Sequence, residues 1–153
     1  MLFRSYEQKG YDEDVHDYYF DEGPNFEDMK KECLIKRIHI DKATVKSGEP
    51  IHFTVYIDSK EPKECTLIRS YIKTQSDFVV GMTYSEPFSL KKGSNEIDLT
   101  IDTKMYGPGG YAIDPILSEY TDGILIKQHG VGGTMPFSVE ETEFTYNFPW
   151  PQG

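Results

Sequence analysis

Between Ile51 and Val139 the chain keeps returning to one pattern: a short alternating run, a polar or Gly/Pro break, then another alternating run. The clearest instance is Phe88 to Asp102, where Ile97, Leu99 and Ile101 fall on one side and Glu96, Asp98, Thr100 and Asp102 on the other. A period of two belongs to a strand with one buried face. Breaks at Lys92-Gly93 and Gly107-Pro-Gly-Gly110 suit tight reversals, because glycine reaches positive φ without a steric cost. Runs at this spacing, with hardly any helical period, predict an all-β chain: an antiparallel immunoglobulin-like or jelly-roll β-sandwich. Roughly seven to nine strands in two sheets are expected, with almost no helix beyond residue 34. Phe53, Val55, Ile68, Ile72, Ile97, Leu99, Ile101 and Phe137 are the expected core. A sandwich of this kind usually presents a binding surface and seldom encloses a catalytic centre.

The first strand starts at Leu34, with Leu34, Lys36, Ile38 and Ile40 alternating against Ile35, Arg37, His39 and Asp41. Val45 to Pro50 reads as a turn, Ile51 to Ile57 as the next strand and Lys60 to Glu64 as a charged loop. Thr66 to Thr74 sets Ile68, Ser70 and Ile72 on one face, and Leu67, Arg69, Tyr71 and Lys73 on the other. Gln75-Ser-Asp77 turns the chain into Phe78 to Tyr84. Further strands are expected near 95–102, 110–117, 123–128 and 135–146.

Residues 1–33 differ in kind. Residues 1–32 hold ten acidic and four basic side chains, yet also seven aromatics, Tyr18, Tyr19 and Phe20 among them. A disordered acidic tail is poor in aromatics. The segment therefore reads as an acidic, aromatic-rich arm or linker that docks through its rings, with residues 34–153 as the sandwich. The 153-residue chain is long enough for one well-buried core. Its net charge of −10 argues against nucleic acid and against an anionic membrane surface. Cys33 and Cys65 form no CxxC pair and read as reduced packing residues, with a bridge between the two left open. No run approaches the ~20 apolar residues of a membrane helix, and the N-terminus lacks the apolar core of a secretory signal. These features favour a cytoplasmic setting.

Catalytic and metal motifs are missing from the sequence. Four histidines, His16, His39, His52 and His129, show no HxH or HExxH spacing, although His39 and His52 fall at outward positions on neighbouring strands. No GxSxG elbow occurs, and neither Gly-rich segment is followed by the Lys-Ser or Lys-Thr of a phosphate loop. Paired carboxylates stay open because acidic residues are abundant. The surplus is aromatic: eleven Tyr and nine Phe. Sandwich cores absorb Phe, but a buried Tyr hydroxyl needs a partner. Tyr71 falls on a polar face beside Arg69 and Lys73, with Thr83 and Tyr84 on the adjoining strand. A ring flanked by donors suits a pyranose: the ring stacks, and the donors bind hydroxyls or an acidic sugar. The candidate glycan-binding residues are Arg69, Tyr71, Lys73, Thr83 and Tyr84, with the Tyr106–Tyr111 loop and Trp150 as other sites for the same chemistry.

The order of segments resembles one family. Ile38-His-Ile-Asp-Lys-Ala-Thr-Val-Lys-Ser-Gly-Glu-Pro-Ile-His-Phe-Thr-Val-Tyr looks like its strand, loop, Ser-Gly-Glu, strand opening. Leu67 to Tyr84, with Val80-Gly-Met-Thr, is similar to its sugar-facing hairpin. Pro87-Phe-Ser-Leu, Pro108-Gly-Gly-Tyr-Ala-Ile and Pro136-Phe-Ser-Val-Glu follow in order. The family is the C-terminal carbohydrate-binding domain of the ATPase subunit of polysaccharide-exporting ABC transporters, the Wzt type that handles O-antigen or teichoic acid. The resemblance covers about residues 35–150. It implies a non-catalytic module, with no cofactor, that recognises a lipid-linked bacterial polysaccharide, including lipopolysaccharide O-antigen, at the cytoplasmic face of the inner membrane. It also implies a homodimer formed through the C-terminal strand (Glu143 to Phe148 here) and a transporter membrane subunit reached through a longer parent chain. The loop from Gly123 to Gly133 is longer than the family pattern. Two other classes stay open: a protein-binding adaptor that uses a sandwich edge and the arm, and a small glycoside-processing enzyme.

Overall fold

The computed structural model describes residues 16–20, 32–130 and 135–141. Among them are eleven strands and no helix: β1 (Asp17–Tyr19), β2 (Cys33–Ile40), β3 (Thr44–Lys46), β4 (Ile51–Ser59), β5 (Lys63–Thr74), β6 (Val79–Tyr84), β7 (Phe88–Leu90), β8 (Gly93–Ile101), β9 (Gly109–Thr121), β10 (Ile124–Gly130) and β11 (Met135–Glu140). They form two sheets. The smaller runs β1-β2-β4-β8; the larger runs β3-β11-β9-β5-β6, with β10 also on β9 and β7 also on β5. The inner faces share one apolar cluster: Ile38, Phe53 and Val55 from the small sheet meet Ile72, Ile113 and Phe137 from the large one. The chain is an all-β sandwich.

The strands exceed the expected number because β1, β3 and β7 are three residues each. Three residues are too few to display a period. Pairing is antiparallel throughout with one exception, the parallel β3–β11 contact of Ser138 with Thr44 and Val139 with Val45. Seven of the eight expected core residues fall on three of the long strands, β4, β5 and β8, and the eighth, Phe137, on β11, and all eight are in the cluster or packed against it, Ile97 and Leu99 as half-buried members. Burying a side chain such as Ile72 or Phe137 is worth roughly 1.5–3 kcal/mol before entropy is charged against it.

On β2 the alternation breaks. Cys33 and Ile35 are buried, but so are Ile38 and Ile40, and Leu34, Lys36 and Arg37 are half-exposed. A β-bulge sits between Ile35 and Arg37, which face Ile57 and Tyr56 on β4. One extra residue shifts the phase of everything after it. Lys36 is thereby removed from the apolar face that strict alternation gives it.

Part of the acidic arm joins the small sheet. Asp17, Tyr18 and Tyr19 pair with His39, Ile38 and Arg37. Tyr18 is buried in the core, and Asp17 Oδ1 accepts hydrogen bonds from Arg37 Nη1 (3.0 Å) and His39 Nδ1 (3.1 Å). The expected C-terminal strand at 143–148 and Trp150 lie outside the described residues.

Candidate functional site

The hairpin β5–β6 carries the candidate residues, and its turn is locally specified. Thr74 accepts from the Ser76 and Phe78 amides through Oγ1 at 3.2 Å, and its own amide donates to the Phe78 carbonyl at 2.8 Å. Asp77 takes φ 68°, a left-handed conformation that Asp tolerates better than most side chains. Beyond the turn, register fixes which side chains share a face, because residues directly opposite across a ladder point the same way.

Along β5, Ile68, Ser70, Ile72 and Thr74 are buried, while Arg69, Tyr71 and Lys73 are half-exposed on the outer face. Arg69 stands opposite Tyr84 and Tyr71 opposite Met82; both β6 partners are exposed. On the other side, Arg69 faces Ile116, Tyr71 faces Asp114 and Lys73 faces Ala112 on β9. The structure therefore brings Arg69, Tyr71, Lys73 and Tyr84 onto one surface. Thr83 is not on it: it stands opposite Ser70, and so turns to the side on which Ser70 is buried.

This surface is amphipathic in the manner of a stacking platform. The Arg69 guanidinium carbon lies 5.6 Å from the centre of the Tyr71 ring, a cation–π distance. Arg69 Nη2 donates to Gln128 Oε1 on β10 at 3.1 Å. Lys73 Nζ is 3.2 Å from Asp114 Oδ2 and 3.8 Å from Asp77 Oδ1. Tyr71 thus sits between a stacked cation and a lysine–carboxylate pair, with Met82 and Tyr84 extending the apolar part. Asp114 was legible in principle, since alternation along β9 puts it outward with Ala112. Gln128 was not, because its reach depends on the β9–β10 register.

Of the other aromatic candidates, Tyr106 and Tyr111 are engaged in packing. Tyr111 is buried, stacks on Phe137 at 5.4 Å and donates its hydroxyl to the Gly107 carbonyl at 2.7 Å. Tyr106 leans on Tyr111 at 5.6 Å, and its hydroxyl occupies the space a Cβ on Gly81 would need. Burial pushes both phenols above the usual tyrosine range.

Two further clusters bring titratable side chains together. Lys63 is buried at the start of β5 and held by Glu32, Glu61 and Glu119, the last two at 3.2 Å, while Lys127 also binds Glu32. The hydrogen bonds from Lys127 and Lys63 hold the Glu32 carboxyl below its ordinary range. The cluster ties the end of the arm to β5, β9 and β10. On the small sheet, His39 meets Asp17 and Asp41 and stacks on His16 at 6.0 Å, whereas His52 bonds Thr100 at 3.1 Å. Among the described residues, no three His, Cys, Asp or Glu converge in a way that would hold a metal ion. Nor is there among them a helix long and apolar enough to cross a membrane.

Fold and face together define a β-sandwich whose larger sheet bears an exposed aromatic and charged outer surface. The chain is similar in structure to the C-terminal domain of Wzt, with a TM-score of 0.59 at 14% identity over 87% of this chain and 82% of that one. The resemblance read from the sequence is thus matched at the level of the fold. Lower similarity is found to a calcium-binding mutant of Bacteroides uniformis β-glucuronidase 2 (TM-score 0.42, 10% identity, 73% of this chain, 14% of that one). The sporulation control protein Spo0M from Bacillus subtilis gives a TM-score of 0.42 at 16% identity, over 76% of this chain and 52% of that one. No family model and no curated sequence matches the chain.

Proposed function

We propose that the protein is a non-catalytic carbohydrate-binding module and that its glycan lies on the outer face of β5, β6 and β9. The supporting observation is the placement of Tyr71 between Arg69 and the Lys73–Asp114 pair, with Tyr84 and Met82 alongside. The apolar face of a pyranose stacks on the ring. Lys73 and Asp114 supply a donor and an acceptor to its hydroxyls, at charge-assisted strength roughly twice that of neutral bonds. Thr83 has no part in this arrangement. In this reading, which the sequence resemblance supports, the ligand is a lipid-linked bacterial surface polysaccharide, bound on the cytoplasmic side for export by an ABC transporter. In that setting the module works as a homodimer attached to an ATPase.

The test is Tyr71→Ala, titrated by calorimetry with O-antigen and capsule fragments. Affinity should fall at least tenfold, about 1.4 kcal/mol, while stability changes by about 1 kcal/mol or less. A folded variant with undiminished affinity removes the glycan from this face.

One observation favours the adaptor reading. β6 is an edge strand without a single charged residue, and Phe78, Val79, Val80, Met82 and Tyr84 are all exposed. Natural edges are usually blunted by charge or proline, so a bare one invites a partner strand. Val79→Lys separates the two readings: it abolishes strand addition and leaves a glycan on Tyr71 bound.

A further inference from the structure

Arg69 is held unlike its neighbours. On the same sheet Lys63 has three glutamates, Lys73 has Asp114 and Asp77, and Lys127 has Glu32. Among the described residues, Arg69 is paired with no carboxylate; its one hydrogen bond goes to the neutral amide oxygen of Gln128. To make it, the side chain reaches from β5 across β9 to β10, two strand spacings or about 9.6 Å. Beneath that reach lie two donors without acceptors. Arg69 Nε is buried and unbonded, and so is the hydroxyl of Ser118, a fully buried residue that stands directly opposite Leu67 on one side and Gln128 on the other. Buried donors without acceptors are costly, and few are tolerated without a reason.

We propose that the Arg69 end of this face is a subsite for the anionic group of an acidic sugar, and that Gln128 Oε1 occupies the acceptor position the ligand's oxyanion takes. This deepens the glycan reading and rests on it. A carboxylate offers two acceptor oxygens in the plane of the guanidinium, so it satisfies Nε and Nη2 together, where the amide satisfies one. Release of Gln128 lets Arg69 turn outward over Tyr71 and opens the Ser118 hydroxyl to a second oxygen. Lys73 does not compete, because Asp114 and Asp77 already neutralise it. The same sugar ring, carried on Tyr71, sets its carboxylate next to Arg69. A uronic acid is the simplest ligand of this class.

The experiment follows the Arg69 Nε–H and Tyr71 ring signals by NMR in the intact chain during titration with D-glucuronate, D-glucose and acetate. Glucuronate should move both signals saturably and bind about tenfold more tightly than glucose, which should move Tyr71 alone. Acetate should move Arg69 only weakly. Arg69→Gln should abolish the preference for glucuronate and keep the Tyr71 response, and Gln128→Ala should bind glucuronate at least as tightly as the parent. If both sugars move Tyr71 and neither moves Arg69, the anionic subsite falls and the glycan reading stands. If no sugar moves Tyr71, the glycan reading falls and this inference with it. A tenfold loss of glucuronate affinity in Gln128→Ala overturns the displacement of its amide.

Discussion

At the scale of single residues, Lys63 and Cys33 carry the sharpest consequences. The Lys63 side chain is only 5% exposed and faces three carboxylates, one of which, Glu119, is itself largely buried. Removing the lysine leaves Glu119 without its counter-ion at a largely buried position, and an uncompensated buried charge costs about 3 kcal/mol or more. Lys63→Ala should therefore destabilise the protein by about that amount in urea denaturation, whereas Glu61→Ala, at an exposed carboxylate, should cost under about 1 kcal/mol. The cluster also sets a pH dependence. Because Glu32 is held below its ordinary range, its contribution is complete above the unfolded carboxyl value, about 4.3, and is lost as pH falls through the lower folded value. Acid unfolding of Glu32→Gln should lack that component. Burial pushes the Cys33 thiol up to about 11, so its neutral form is stabilising below the unfolded thiol value and that contribution fades as pH rises toward the folded one. Cys65 is half-buried. Thiol modification in the native state should therefore reach Cys65 first, and Cys33 only on unfolding; equal rates would contradict this burial.

At the scale of elements, legibility followed strand length. β4 alternates over all nine of its residues, β5 over the nine from Thr66 to Thr74 and β8 over the eight from Ser94 to Ile101, and these inward sets were readable from the period alone, whereas Lys63 and Glu64, expected in a loop, begin β5. The hairpin turn at Gln75–Asp77 was readable as well, because its chemistry is local. β1 and β3 were invisible because each depends on a long-range partner to exist at all. The β2 bulge was invisible for a related reason: only pairing with β4 shows which residue is extra. The candidate face divides in the same way. Arg69, Tyr71 and Lys73 share a side by period on one strand. Thr83 was grouped with them by adjacency, and only register shows that it faces Ser70. One contact links elements that the sequence keeps apart: a Cβ on Gly81 of β6 would lie 2.1 Å from the Tyr106 hydroxyl and 3.0 Å from the ring carbon that carries it. Gly81→Ala must push Tyr106 off Tyr111, and overpacking of this kind costs about 1–3 kcal/mol. In a Tyr106→Leu background the same alanine should cost distinctly less. A double-mutant cycle by thermal denaturation measures the difference, and strict additivity would mean that the two positions do not touch in solution.

At the scale of the whole molecule, the open matter is whether the acidic arm is a tether or a part of the sandwich. A tether would contribute nothing to stability. The described piece of it contributes three things at once: Tyr18 in the core, Asp17 on Arg37 and His39, and a strand that covers the edge of β2. Covering an edge matters beyond its hydrogen bonds, because β2 with β1 removed presents an unpaired ladder to other chains. Deleting residues 1–20 should therefore lower stability and raise association together. Tyr18→Ala should reproduce the first effect, at about 2–3 kcal/mol for a large buried side chain, and only part of the second, since the backbone of β1 can still pair. The two variants, compared by urea denaturation and by light scattering over a range of concentrations, separate core burial from edge protection. If the deleted chain is as stable and as monodisperse as the parent, residues 17–19 are a tether that merely rests on β2, and the sandwich is complete from Cys33 onward.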